Sequence, residues 1–238
     1  MNTKRLSLPD CSPQSVGLEP QLYEAALRYL FDRPVPEQED KEWYWDLDDP
    51  LFPATPLEWT RIQTVLFARA GTDLAAYSDD QVGIGLYYLV SGGAGDVPFA
   101  AIDKSVPLDE AMLMMQAMPS LWRDCFGPRL AALRKPIGDV AGRLDFVCIM
   151  WFDVWPTFWN VRDEPRWRDA LWQVLDGMLD VPCREVQVAA LHGIGHWVKY
   201  LQRQDVIDRR IADFICTTDK DDQEIRKYAE AARRGMVL

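Results

Sequence analysis

The sequence predicts an all-α protein of packed antiparallel helix pairs, and three observations carry that prediction. Proline stands at the head of five amphipathic stretches, where a missing N–H costs nothing because the first helical turn leaves its N–H groups unpaired. Thr55 with Glu58 and Ser78 with Gln81 have the spacing of capping boxes. β-Branched residues alternate with polar ones over no convincing length, so strand evidence is thin. With 238 residues, 48% of them hydrophobic, the chain has ample material for a core.

Residues 1–17 read as an N-terminal tail ahead of a single helical domain over 18–238. Their opening, "MNTKRLSLPD", has basic residues but no apolar segment of the kind a secretory leader needs. "LEPQLYEAALRYL" is the first helix. Residues 33–55 follow as a long loop with proline at both ends, an acidic middle and three consecutive aromatics, which argue for order. "TPLEWTRIQTVLF" and the stretch after Ser78 are the next two helices. "SGGAGD" at 91–96 is a connection, and "VPLDEAMLMMQAM" starts another helix. Gly71, Gly92 and Gly127 stand where helices are expected to stop.

"DFVCIMWF" is apolar enough for a buried strand, but Val147, Trp151, Val154, Trp155 and Phe158 would share one side of a helix that Pro156 kinks or ends. The tryptophans Trp151, Trp155, Trp159, Trp167 and Trp172 have the spacing of core filler rather than of a ligand cage. "EPRWRDALWQVL" and "VPCREVQVAALHGIGHW" are two more proline-led helices, and "TTDKDDQ" caps a final charged one, for nine or ten helices in all.

A net charge of -11 and a pI near 4.7 exclude a nucleic-acid backbone or an anionic membrane as partner, and point to a basic protein instead. No apolar run approaches the roughly 18 residues needed to span a bilayer. The five cysteines are scattered with no C-x-x-C pair, as expected of a soluble protein in a reducing cytosol.

Both histidines of the chain fall in "ALHGIGHW", four positions apart on one helix face, where two imidazoles could grip one cation. On a helical wheel Val186, Ala190, Ile194, Trp197 and Leu201 form the apolar stripe, flanked by Leu191 and Val198. His192 and His196 lie opposite, on a face shared with Glu185, Lys199 and Arg203 and read as solvated. Gly193 occupies the position where the zincin motif H-E-x-x-H needs glutamate. A zinc site would need a third ligand, for which Asp213 and Cys216 on the following helix are candidates, but nothing in the sequence fixes that geometry. The expectation is therefore no metal and no cofactor, with His192, His196, Lys199 and Arg203 available to a partner. P-loop, G-x-G-x-x-G and nucleophile-elbow signatures are absent.

The segment Glu37–Asp49 holds seven acids against one base, Lys41. Trp43, Tyr44, Trp45, Asp46, Asp48 and Asp49 are the expected contact patch: aromatic rings supply a buried centre and the acids steer a basic partner. The same carboxylates beside aromatics could instead hold a sugar.

Pro182, Val186, Ala189, Ala190, Leu191 and Gly193 carry a likeness to a HEAT-repeat helix, with Val206–Ile215 as its partner helix. Over about residues 182–215 the chain resembles a HEAT repeat, and the resemblance implies a short α-solenoid whose helices recognise other macromolecules. The sequence thus leads to a non-enzymatic interaction domain in the cytoplasm, an inhibitor or immunity-type partner of a basic protein. The alternative is an enzyme using a metal at His192 and His196, or the carboxylates of Asp46–Asp49.

Overall fold

The structure is a computed structural model that describes residues 11–38, 41–46, 48, 50–91 and 95–237. Among these there is no strand, and ten α-helical segments carry the fold: α1 Pro20–Phe31, α2 Pro56–Asp73, α3 Asp79–Val90, α4 Leu108–Leu121, α5 Gly127–Leu130, α6 Arg143–Val154, α7 Pro165–Met178, α8 Arg184–Leu201, α9 Gln204–Thr217 and α10 Gln223–Ala232. None of the helices is long and apolar enough to cross a membrane.

The starts follow local chemistry. Both capping boxes are present, with the side chains of Thr55 and Glu58, and of Ser78 and Gln81, each closing on the other's backbone. Pro20, Pro56 and Pro165 occupy first-turn positions of α1, α2 and α7, whereas Pro107 is the N-cap of α4 and Pro182 precedes the N-cap of α8.

The expected stops differ. Gly71 lies inside α2, and Gly127 joins a π turn to α5 without ending the helical path; Gly92 falls outside the described residues. A π turn spans Trp122–Phe126 directly after Pro119, which sits inside α4 and removes one hydrogen-bond donor there. Of the expected tail, residues 1–10 lie outside the described residues, while 11–17 packs on the body: Cys11 and Val16 are buried, and Arg61 donates to the Gly17 carbonyl.

Helices pack as successive neighbours, α2 on α4, α4 on α7, α7 on α8, α8 on α6 and α6 on α3, with α1 against α3 and α10 against α8. Between them runs an aromatic core. Trp122 stacks on Phe126 and Phe152, Trp151 meets Trp155 and Phe67 edge to face, and Phe158 bridges Trp155 to Trp197. Trp155 and Thr157 both donate to the Pro98 carbonyl at 3.0 and 2.9 Å, whereas the indole N–H groups of Trp122 and Trp151 are buried without a hydrogen-bond partner among the described residues. α6 ends at Val154, just before Pro156, and the chain continues as a 3-10 helix, Pro156–Arg162. That change of path turns Trp159 outward, 54% exposed, so Trp159 is not core as its spacing suggested.

Candidate functional site

α8 is enclosed by α6, α7 and α10, so the part of its polar stripe that carries Glu185 and His192 faces protein, while His196 and Lys199 stay exposed. His192 is only 4% exposed and Glu185 is equally buried, which corrects the solvated face expected for both. The wheel located the apolar stripe correctly, since Val186, Ala190, Ile194, Trp197 and Leu201 are all buried. It could not show that the opposite side would be covered as well. His196, one turn on, keeps a partly open side chain, 37% accessible.

Asp153, near the end of α6, reaches both histidines. His192 Nε2 lies 2.9 Å from Asp153 Oδ2, His196 Nε2 lies 3.0 Å from Oδ1, and the two Nε2 atoms are 3.2 Å apart. On its other side, His192 Nδ1 is 2.6 Å from the hydroxyl of Tyr228 on α10. Burial lowers the pKa of His196 from the ordinary imidazole value; Asp153 opposes this and neighbouring His192 adds to it. Tyr228 is pushed up to about 12, first by burial and then by the Asp153 charge. Asp153, His192 and His196 present three ligand atoms within 4.8 Å of one another, a set that could hold a metal ion. Asp213 and Cys216, the third ligands considered from sequence, are exposed on α9 and lie outside this set.

Two glycines of "HGIGH" make this convergence possible. A Cβ at Gly193 would stand 2.7 Å from Leu175 Cδ2 and 2.8 Å from ring atoms of Phe152, and one at Gly195 would stand 2.5 Å from the side chain of Val237. Glycine is needed at both places because other parts of the protein come within van der Waals range of the α8 backbone. The approach of α6 at Gly193 is what brings Asp153 within hydrogen-bond reach of the imidazoles. Beside His196 opens a cleft of about 730 Å³ lined by Lys199, Tyr200, Gln204, Arg233 and Arg234. Arg203 is not part of it; its guanidinium pairs with Asp169.

The acidic loop builds a second site. Trp43, Tyr44 and Trp45 form one 3-10 turn. Trp43 packs between Tyr29 and Tyr88, with the Arg33 guanidinium 4.7 Å over its ring. Tyr44 leans on Tyr87 and Tyr88. Trp45 stays 48% exposed at the mouth of a cleft of about 260 Å³, whose other walls are Tyr44, Tyr87, Phe146, Val140, Arg143 and Glu42. Asp46 and Asp48 are exposed beside it, Asp46 accepting from the Asp48 N–H at 3.0 Å; Asp49 lies outside the described residues.

Glu42 departs from the picture of a solvated acidic run. It is 6% exposed; Oε1 is 3.5 Å from Arg143 Nε, and Oε2 is buried without a hydrogen-bond partner among the described residues. Tyr44 is raised above the ordinary phenol value, mainly by burial and next by Glu42.

A third charged group has no counterpart in the sequence reading. Lys135 lies 3.4 Å from both Asp145 and Glu185, all three nearly buried, and Arg184 links Glu185 to Asp222 and Glu224. The signal was there in Lys135, beside Arg134 and just before Pro136, but nothing local ties it to residues 10 and 50 positions away. Comparison of the chain with protein families, with curated proteins and with solved structures returned no match in any of the three.

Proposed function

We propose that this protein is a non-enzymatic interaction domain, an inhibitor or immunity-type partner, that receives a basic side chain of another protein in the cleft behind Trp45. The observation that carries the reading is the Glu42 carboxylate, buried in the cleft wall with one oxygen that has no hydrogen-bond partner among the described residues. A guanidinium or ammonium group entering between Trp45, Tyr87 and Phe146 gains ring-face attraction and supplies that oxygen with a donor. Arg143 partly neutralises Glu42, but Asp80 lies 3.9 Å from Arg143, and Asp46 and Asp48 flank the mouth, so the surroundings remain acidic. The chain's charge of -11 favours the same partner at long range. Five free thiols, four of them buried, suit a reducing cytosol.

The test is capture of the partner from the native host, followed by binding kinetics at two salt concentrations. Changing Asp46, Asp48 and Asp49 to Asn is expected to slow association and flatten its salt dependence, while Trp45→Ala mainly speeds dissociation. An acidic partner, or association indifferent to both salt and the triple change, overturns the reading.

A further inference from the structure

We infer that Asp153, His192 and His196 bind one divalent transition-metal ion of the zinc class, with one coordination position left for water or a small anion. The site is separate from the aromatic cleft: α6 begins at Arg143, in the cleft wall, and Asp153 stands ten residues along it, about 15 Å at 1.5 Å per residue.

Proton counting is the first argument. Each Nε2 faces an Asp153 oxygen and also the other Nε2. If both carry hydrogen, two N–H groups confront each other at 3.2 Å. If one is bare, its lone pair points at a carboxylate oxygen about 3 Å away. With Asp153 ionised, every protonation state of the two imidazoles leaves at least one repulsive contact. A cation between the three removes it, because two bare imidazole nitrogens and a carboxylate are then all donors to one centre.

Geometry and chemistry agree with that. A tetrahedral ion with bonds of about 2.0–2.1 Å has ligand atoms about 3.3 Å apart. The two Nε2 atoms, 3.2 Å apart, fall a little inside that spacing; each lies 2.9–3.0 Å from a different oxygen of Asp153, and one ligand atom from each residue lies within 4.8 Å of the others. Two imidazoles and one carboxylate form a nitrogen-rich, borderline set that suits zinc, cobalt or nickel rather than magnesium or calcium. With three protein ligands the site is of the open kind. His192 is also oriented from behind: with Nε2 on the metal, its Nδ1–H donates to the Tyr228 hydroxyl at 2.6 Å.

Lys199, a fixed cation three residues beyond His196, is exposed, so water screens it. Asp153 supplies the compensating negative charge, and it is invisible on the α8 wheel. The cleft that shares His196 is rimmed by Lys199, Arg233 and Arg234, which suits an anion as the exchangeable ligand.

The test uses tag-free, chelator-stripped protein carrying Cys216→Ser, so that the exposed thiol takes no metal. It is titrated with Zn²⁺ by calorimetry and with Co²⁺ by visible absorption. One equivalent is expected, with ligand-field bands of a four-coordinate ion and a raised melting temperature. Asp153→Asn keeps shape and His196→Ala alters a partly open side chain, so both should remain folded by circular dichroism; each is expected to weaken binding at least about 10-fold. Tyr228→Phe should weaken it about 10-fold with the stoichiometry unchanged. Folded protein that binds neither ion saturably, or that binds equally well after Asp153→Asn and His196→Ala, overturns the inference. Partner binding through Trp45 reads out a different cleft and can fail or succeed on its own.

Discussion

Gly193 stands directly against the Phe152 ring, so close that a Cβ there would lie 2.8 Å from two of its atoms. The contact sets how near α8 comes to α6. Gly193→Ala is therefore expected to cost about 1–3 kcal/mol by overpacking, despite alanine's better helix propensity. Gly177, on α7, has nothing within 4 Å of such a Cβ, and Gly177→Ala should instead gain up to about 1 kcal/mol. Chemical denaturation of the two variants checks the pair; shifts of the same sign would mean that α8 moves away from α6 without penalty.

Trp197 and His196 are sequence neighbours with opposite environments. Trp197 is buried against Phe158 and donates to the Phe152 carbonyl at 3.0 Å. Trp197→Ala should cost about 3–5 kcal/mol, while His196→Ala in metal-free protein should stay within about 1 kcal/mol of the parent. Equal losses in urea titrations would contradict the burial described for α8.

Lys135 is the counter-ion shared by Asp145 and Glu185, both nearly inaccessible. Lys135→Met leaves two buried carboxylates facing each other, and a loss of about 3–5 kcal/mol is expected. Adding Glu185→Gln should recover part of it, and a double-mutant cycle measures how much. Strict additivity would show that the three groups are not coupled.

Burial raises the Cys125 thiol from 9.0 to about 11 and Cys148 well above its ordinary value. A folded state that holds its protons more tightly contributes stability that is complete below the unfolded pKa and lost as pH rises through the folded one. Stability is thus expected to fall between about pH 9 and 11 from these thiols, and Cys125→Ala should flatten that decline. At pH 8 a disulfide reagent should label Cys216 quickly and reach the four buried cysteines only after denaturation. Rapid labelling of more than one thiol in the native protein would rule against their burial.

Local chemistry was legible in the sequence. Thr55 and Glu58, or Ser78 and Gln81, interact across three residues, so spacing alone identifies the helix start. The apolar stripe of α8 was legible for the same reason. Asp153 was not, because it lies 39 residues from His192 and meets it only through the packing of α6 on α8. Nor was the burial of His192 and Glu185, since a wheel ranks the faces of one helix but not the number of helices around it. Gly127 misled differently: the π turn that follows Pro119 carries the chain on helically into α5, where a stop was expected.

The distribution of tryptophan gives the protein an optical signature. Seven of the ten indoles are buried, Trp43 is half covered, and Trp45 and Trp159 face solvent. Most of the emission should be blue-shifted and inaccessible to dissolved quenchers, with a small red-shifted fraction from the two outer rings. Those two differ in electrostatic setting, because only Trp45 has Asp46 and Asp48 beside it. Caesium, drawn to that acidic rim, should quench Trp45 more efficiently than iodide does, and Trp45→Phe should abolish the difference. Fluorescence then separates occupancy of the aromatic cleft from events elsewhere in the molecule, with no label attached.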